Sequence, residues 1–110
     1  MILKHFRQKK IQQFINNSTM KIDEQTQEKI INFGAFEYKI DKMANVLGLP
    51  VAEVEAEFNN ENSDFYKFYR IGKDRADYVL DLKLFDMAKA GDLKALDKFE
   101  DRKFTRNNNR

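Results

Sequence analysis

Apolar residues recur at three- and four-residue steps along nearly the whole chain, the period of helices with one buried face. In the first segment Leu3, Phe6, Ile11, Phe14 and Ile15 keep this spacing, while Lys4, Arg7, Gln8, Lys9 and Gln12 take other faces. This predicts a basic amphipathic N-terminal helix within residues 1–22. It reads as a docked surface helix or as a DNA-contacting arm, with a mitochondrial presequence as a minor third option. Asn16–Thr19 is a polar break, and Asp23 then suits the N-cap of a helix carrying Ile30, Ile31 and Phe33. Gly34 marks either the end of that helix or a close helix–helix approach.

From Lys39 the pattern sharpens. Ile40, Met43, Ala44 and Leu47 share one helical face, and Gly48 sits where a left-handed residue ends a helix. Pro50 is expected at the first position of a new helix, with Leu49 extended before it as the N-cap. Val51, Val54 and Phe58 form that helix's inner face. After Asn59–Ser63, a loop with a cap, Phe65, Phe68, Tyr69, Ala76, Val79, Leu80, Leu82, Phe85 and Ala88 continue a broad stripe. Gly72 within it predicts a kink or a very close neighbour. Gly91-Asp92 then turns the chain into a last helix with Leu93, Leu96, Phe99 and Phe104, an antiparallel hairpin. The expected fold is all-α: an N-terminal amphipathic helix (1–22), a region containing a helix-turn-helix (23–61), a long helical hairpin (62–104) and a flexible basic tail (105–110). No strand pattern, internal repeat or heptad array is visible.

Composition supports a folded domain: 42% of the 110 residues are hydrophobic and 35% charged, with ten Phe, four Tyr and no Trp. No cysteine is present, which excludes disulfides and thiolate chemistry and fits a reducing cytoplasm. The longest apolar run is three residues, as at Met1–Leu3, so no membrane span or signal h-region is expected. The net charge of +2 hides a segregation: both ends are basic, and residues 23–64 hold ten acids against three bases. That pattern permits binding to phosphate or head-to-middle self-association.

The unit built on Met43, Ala44, Leu47, Gly48, Pro50, Val54 and Phe58 has helix-turn-helix spacing: a small residue for close approach, a glycine at the sharp turn, a later valine to lock the second helix. A plain helix pair with a glycine turn stays open beside it. Direct base reading by the second helix conflicts with its outward residues, read as Ala52, Glu53, Glu55 and Glu57. Carboxylates repel phosphates, and no Arg, Lys, Asn or Gln accompanies them. Catalysis finds little to work with. His5 has no acid nearby in sequence and reads as a surface imidazole. The pairs Glu53/Glu57 and Asp77/Asp81 read as solvated faces in preference to a cation site, and the Asp74, Asp77, Asp81 ladder among Lys73, Arg75 and Lys83 reads as locally salt-bridged surface. No enzyme activity, cofactor or metal is expected.

After the helix-turn-helix come Asn62-Ser63-Asp64-Phe65-Tyr66-Lys67-Phe68-Tyr69-Arg70-Ile71-Gly72-Lys73 and then Phe85-Asp86-Met87-Ala88-Lys89-Ala90-Gly91-Asp92, with Ala95 beyond. In this order the chain, over roughly residues 38–104, resembles the small terminase subunits of tailed bacteriophages. The resemblance implies a non-catalytic homo-oligomer, in the bacterial host cytoplasm if viral. It implies recognition of double-stranded DNA and its delivery to the large terminase subunit for viral genome packaging, with the hairpin as the oligomerisation element. Lys4, Arg7, Lys9, Lys10, Lys39, Lys42, Lys73 and Arg75 are the candidate DNA contacts, since weak phosphate contacts multiply in an oligomer. The alternatives are a dimeric helix-turn-helix transcription regulator and a helical protein-interaction module without DNA binding.

Overall fold

The computed structural model describes residues 20–108. The helix expected within residues 1–22 therefore lies outside the described residues except for its last three positions, which are irregular, Met20 and Ile22 resting against the core. Five helices follow: α1 (Glu24–Phe36), α2 (Ile40–Leu47), α3 (Val51–Phe58), α4 (Asp64–Lys89) and α5 (Leu93–Asn108). The architecture is all-α, and no strand occurs among the described residues. The chain divides into two compact units, one ending at Asp74 and one beginning at Arg75, so α4 contributes to both.

In the first unit each helix starts and stops for a local reason. The Asp23 carboxylate caps α1, accepting from the Thr26 N–H at 2.8 Å. That hydrogen bond holds the carboxyl below the usual aspartate range. The helix ends when Glu37 turns left-handed at φ 56°, donating to the Gly34 carbonyl, while the Tyr38 N–H reaches back to Phe33. Gly48 ends α2 in the same way at φ 69°, with the Leu49 N–H donating to Ala44 at 3.0 Å. Pro50 is one place earlier in its helix than the sequence suggests. At ψ 141° it is itself the N-cap of α3, and its carbonyl accepts from Glu53 and Val54.

The core of this unit gathers Ile30, Phe33, Met43, Ala44, Val54, Phe65 and Tyr69. Leu47 and Phe58 pack at its edge, whereas Val51, expected inside, is 48% exposed. At the start of α3 that position looks outward while Val54, three residues on, takes the inner face. Both glycines that the sequence singled out mark a close approach. A Cβ on Gly34 would fall on the Tyr69 carbonyl group and one on Gly72 on the Ile31 carbonyl group, so α1 and α4 cross backbone to backbone. Neither glycine breaks its helix.

Ser63 joins two of these elements. Fully buried, its hydroxyl donates to the Glu57 carbonyl at 2.6 Å and accepts from the Tyr66 N–H at 3.0 Å, closing the end of α3 and capping the start of α4 together. Ser63→Ala is expected to lower unfolding stability by about 1–2 kcal/mol in urea denaturation, since it strands the Tyr66 N–H and leaves the Glu57 carbonyl with only the Asn60 N–H.

The second unit is a helical hairpin made from the later part of α4 and from α5. Gly91, at φ 102°, turns the chain and the Asp92 carboxylate caps α5 by accepting from Ala95. Ala95 is buried, and Phe85 and Phe99 meet at 5.5 Å between ring centroids. A charged clasp adds to this. Arg102 donates to Asp81 at 2.6 Å and to Asp77 at 3.4 Å, and Arg106 donates to Asp81 at 2.7 Å. The aspartates expected to pair with neighbours on their own helix thus pair across the turn. The helix that holds both arginines continues to Asn108, beyond the hairpin end expected at residue 104.

Candidate nucleic-acid interface

The helix pair α2–α3 presents little that could read a base. Glu53 and Glu55 are exposed, as are Ala52 and Ala56, and no cation stands among them. Glu57, expected on this outer face, is buried instead, its carboxylate accepting from the Met20 N–H at 3.3 Å. A carboxylate that satisfies a backbone donor can sit inside, where an unpaired one could not. The turn residues behave structurally: Met43, Ala44 and Val54 are buried, Gly48 is left-handed, and Pro50 is an exposed cap.

The expected DNA contacts separate into three groups. Lys4, Arg7, Lys9 and Lys10 lie outside the described residues. Arg75 is exposed and opens the second unit. Lys39, Lys42 and Lys73 belong to the first unit, where they surround a feature absent from the sequence reading, a groove with aromatic walls. One part of it, a cavity of about 520 Å³, is lined by Glu37, Tyr38, Lys39, Ile40, Asp41, Phe58, Tyr69 and Lys73. A neighbouring cavity of about 430 Å³ shares Phe58, Tyr69 and Lys73 and adds Tyr66, Arg70 and Asp74.

Several local contacts fix these walls. The Tyr69 hydroxyl donates to the Tyr38 carbonyl at 3.1 Å, tying α4 to the segment before α2. Burial first, then the nearby Glu37 carboxylate, pushes the Tyr69 phenol up, against the pull of Lys73, so it stays protonated at neutral pH. Phe58 meets Tyr69 edge to face, with ring planes at 88° and centroids 4.8 Å apart. Lys73 pairs with Glu37 at 3.1 Å. Lys42 lies 4.5 Å from the Tyr38 ring centroid, and Arg70 sits over Tyr66 while donating to its hydroxyl at 3.1 Å. That bond and the Asp74 charge hold the guanidinium firmly cationic.

One sequence signal could have found this groove. Tyr66 and Arg70 stand four residues apart, the spacing at which an aromatic and a cation meet on one helix face, and Tyr38, just before α2, stands four residues ahead of Lys42 within it. The same spacing recurs at Phe85/Lys89 and Phe99/Lys103 in the hairpin. Among the described residues no group of three or more His, Asp or Glu converges as a metal site, and no helix is long and apolar enough to cross a membrane. No protein-family model, curated protein or solved structure matches the chain.

Proposed function

We propose that this chain is a small-terminase-like subunit: a non-catalytic homo-oligomer that recognises double-stranded DNA in a bacterial host cytoplasm and hands it to a large terminase subunit for packaging. The observation that carries the reading is the apolar surface of the hairpin. Ala95 is the one buried apolar residue described in it, while Tyr78, Val79, Leu82, Phe85, Leu93 and Phe104 are exposed, Leu93 and Phe104 at 73% and 70%. An exposed apolar array of this kind marks an association surface, because a helix pair alone cannot remove it from water. The order of motifs from the α2–α3 pair to the Gly91-Asp92 turn supplies the family resemblance.

Self-association also explains how a weakly basic chain holds DNA. Each copy brings few cations, and an oligomer multiplies them without a strong base-reading helix in any copy. The exposed acids Glu53 and Glu55 suit a protein contact better than a DNA groove. Light scattering on the full chain should give a mass several times 13.1 kDa at micromolar concentration. The double substitution Tyr78→Glu, Leu82→Glu should return it to the monomer mass, since burying two unpaired carboxylates costs more than the interface gains. Duplex DNA should shift the oligomer at low ionic strength, with steep loss as salt rises. A monomer without a salt-sensitive DNA shift would sink the reading.

A further inference from the structure

We infer that the outer face of α5 is the docking site for the basic N-terminal segment, residues 3–14, of a neighbouring copy. This rests on the self-association reading above and is independent of DNA.

Three observations point the same way. The first is a match of spacing. On α5, Leu93, Asp97, Glu100 and Phe104 stand four, three and four residues apart, which sets them along one helical face, with Leu96 beside them. In the N-terminal segment Leu3, Arg7, Lys10 and Phe14 repeat the same steps, with Phe6 in the place of Leu96. The apolar positions coincide and both charges change sign. Because the steps read alike in either direction, the two stripes meet apolar to apolar and acid to base whether they run parallel or antiparallel. The second is exposure. Leu93 and Phe104 are the most exposed large apolar residues of the hairpin, at 73% and 70%, and Leu96, Asp97 and Glu100 also face water. The opposite side of α5 carries Ala95, Phe99 and Arg102, the residues committed to the hairpin itself. Glu100 meets Lys103 at 3.6 Å in an exposed pair one turn along its own helix, which holds it only weakly.

The third observation is charge. A second α5 is a poor cover for this face, since in either direction its own acids would stand against Asp97 and Glu100. For the same reason the N-terminal segment is a poor partner for itself. Arg7 and Lys10 fall inside the stripe of Leu3, Phe6 and Phe14, so that stripe leaves water at low cost only against a surface that sets carboxylates between apolar residues. The outer face of α5 is such a surface. Lys4 and Lys9 fall outside these positions and stay available to phosphate, whereas Arg7 and Lys10 are engaged by protein.

The test follows chymotrypsin cleavage of the full chain after Phe14 by mass spectrometry, with light scattering on the same samples. The segment should be protected in the parent. Asp97→Lys with Glu100→Lys should speed cleavage by about tenfold, and so should Arg7→Glu with Lys10→Glu, the range that close charge pairs supply. Mixing these two double variants in equal amounts should restore protection. The acidic segment of one then meets the basic face of the other, and the remaining pair is native, so restoration requires docking between copies. Positions 97 and 100 are exposed, so the changes there leave α5 folded, which circular dichroism checks. Cleavage as fast in the parent as in the variants overturns the inference, and so does a mixture that stays unprotected. If the parent is nevertheless an oligomer, the self-association reading stands. A monomeric parent removes both.

Discussion

Gly72→Ala should destabilise the first unit by about 3 kcal/mol or more, a large share of the roughly 5–15 kcal/mol that holds a domain folded. In an open helix the same change would stabilise by roughly 1 kcal/mol, because alanine is the better helix former. The sign is reversed here by the crossing. A Cβ on Gly72 would stand 2.6 Å from the Ile31 carbonyl carbon and 3.1 Å from the Ala35 nitrogen, and one on Gly34 would stand 2.8 Å from the Tyr69 carbonyl carbon. These neighbours are backbone atoms and cannot rotate away as a side-chain tip would. The helices must move apart, and separation opens the packing of Ile30, Phe33, Phe65 and Tyr69 between them. Gly48→Ala is the control. It meets nothing within 4 Å and bears only the left-handed backbone, so about 1 kcal/mol should be lost. Urea unfolding followed by circular dichroism measures both, and equal losses would disprove the steric account of the crossing.

The second large effect belongs to the hairpin. Arg102→Met should cost its helix pair about 2–3 kcal/mol, since the guanidinium bonds two part-buried carboxylates of the facing helix at once. Arg106→Ala should cost far less, because Arg106 is half-exposed and Arg102 still holds Asp81. Acid provides a second readout. Burial pushes the Asp81 carboxyl up, but the hydrogen bonds from Arg102 and Arg106 more than offset it, and the carboxyl ends below its ordinary value. A carboxyl depressed in the folded state contributes stability above its unfolded pKa, about 4 for aspartate, and loses it as the pH falls through the folded value. The parent should therefore lose hairpin stability progressively below about pH 4. Arg102→Met should show a shallower loss over that window, and parallel pH profiles for the two proteins would refute the clasp.

Local rules recovered much of this molecule from its sequence. Asp23, Gly48 and Gly91-Asp92 punctuate helices through bonds to residues within one turn, which a linear reading captures. Ala44 and Val54 are likewise placed by periodicity. What failed depended on distant partners. Asp77 and Asp81 had cations on their own helix, yet the charges they meet come from α5, brought near only by the turn. Glu57 looked like one more outward acid until Met20, far back in the chain, supplied the N–H that lets it point inward. Gly34 and Gly72 were each conspicuous alone, but only the fold shows that they accommodate one another. The groove escaped because Phe58 and Tyr69 read as core aromatics, while Tyr38 and Tyr66 had no place in the apolar pattern. Three of them do serve the core in part, with Tyr38 and Phe58 lying only half inside and exposing ring surface as well.

The placement of these rings has an optical consequence. The chain has four tyrosines and no tryptophan, and three of the four, Tyr38, Tyr66 and Tyr69, stand on the groove walls, while Tyr78 lies on the exposed hairpin. Ultraviolet emission from the native protein therefore comes largely from the groove, without a brighter indole to mask it. Anything that settles there should alter the emission directly, and Tyr78→Phe would leave a protein whose every remaining tyrosine watches the same cleft.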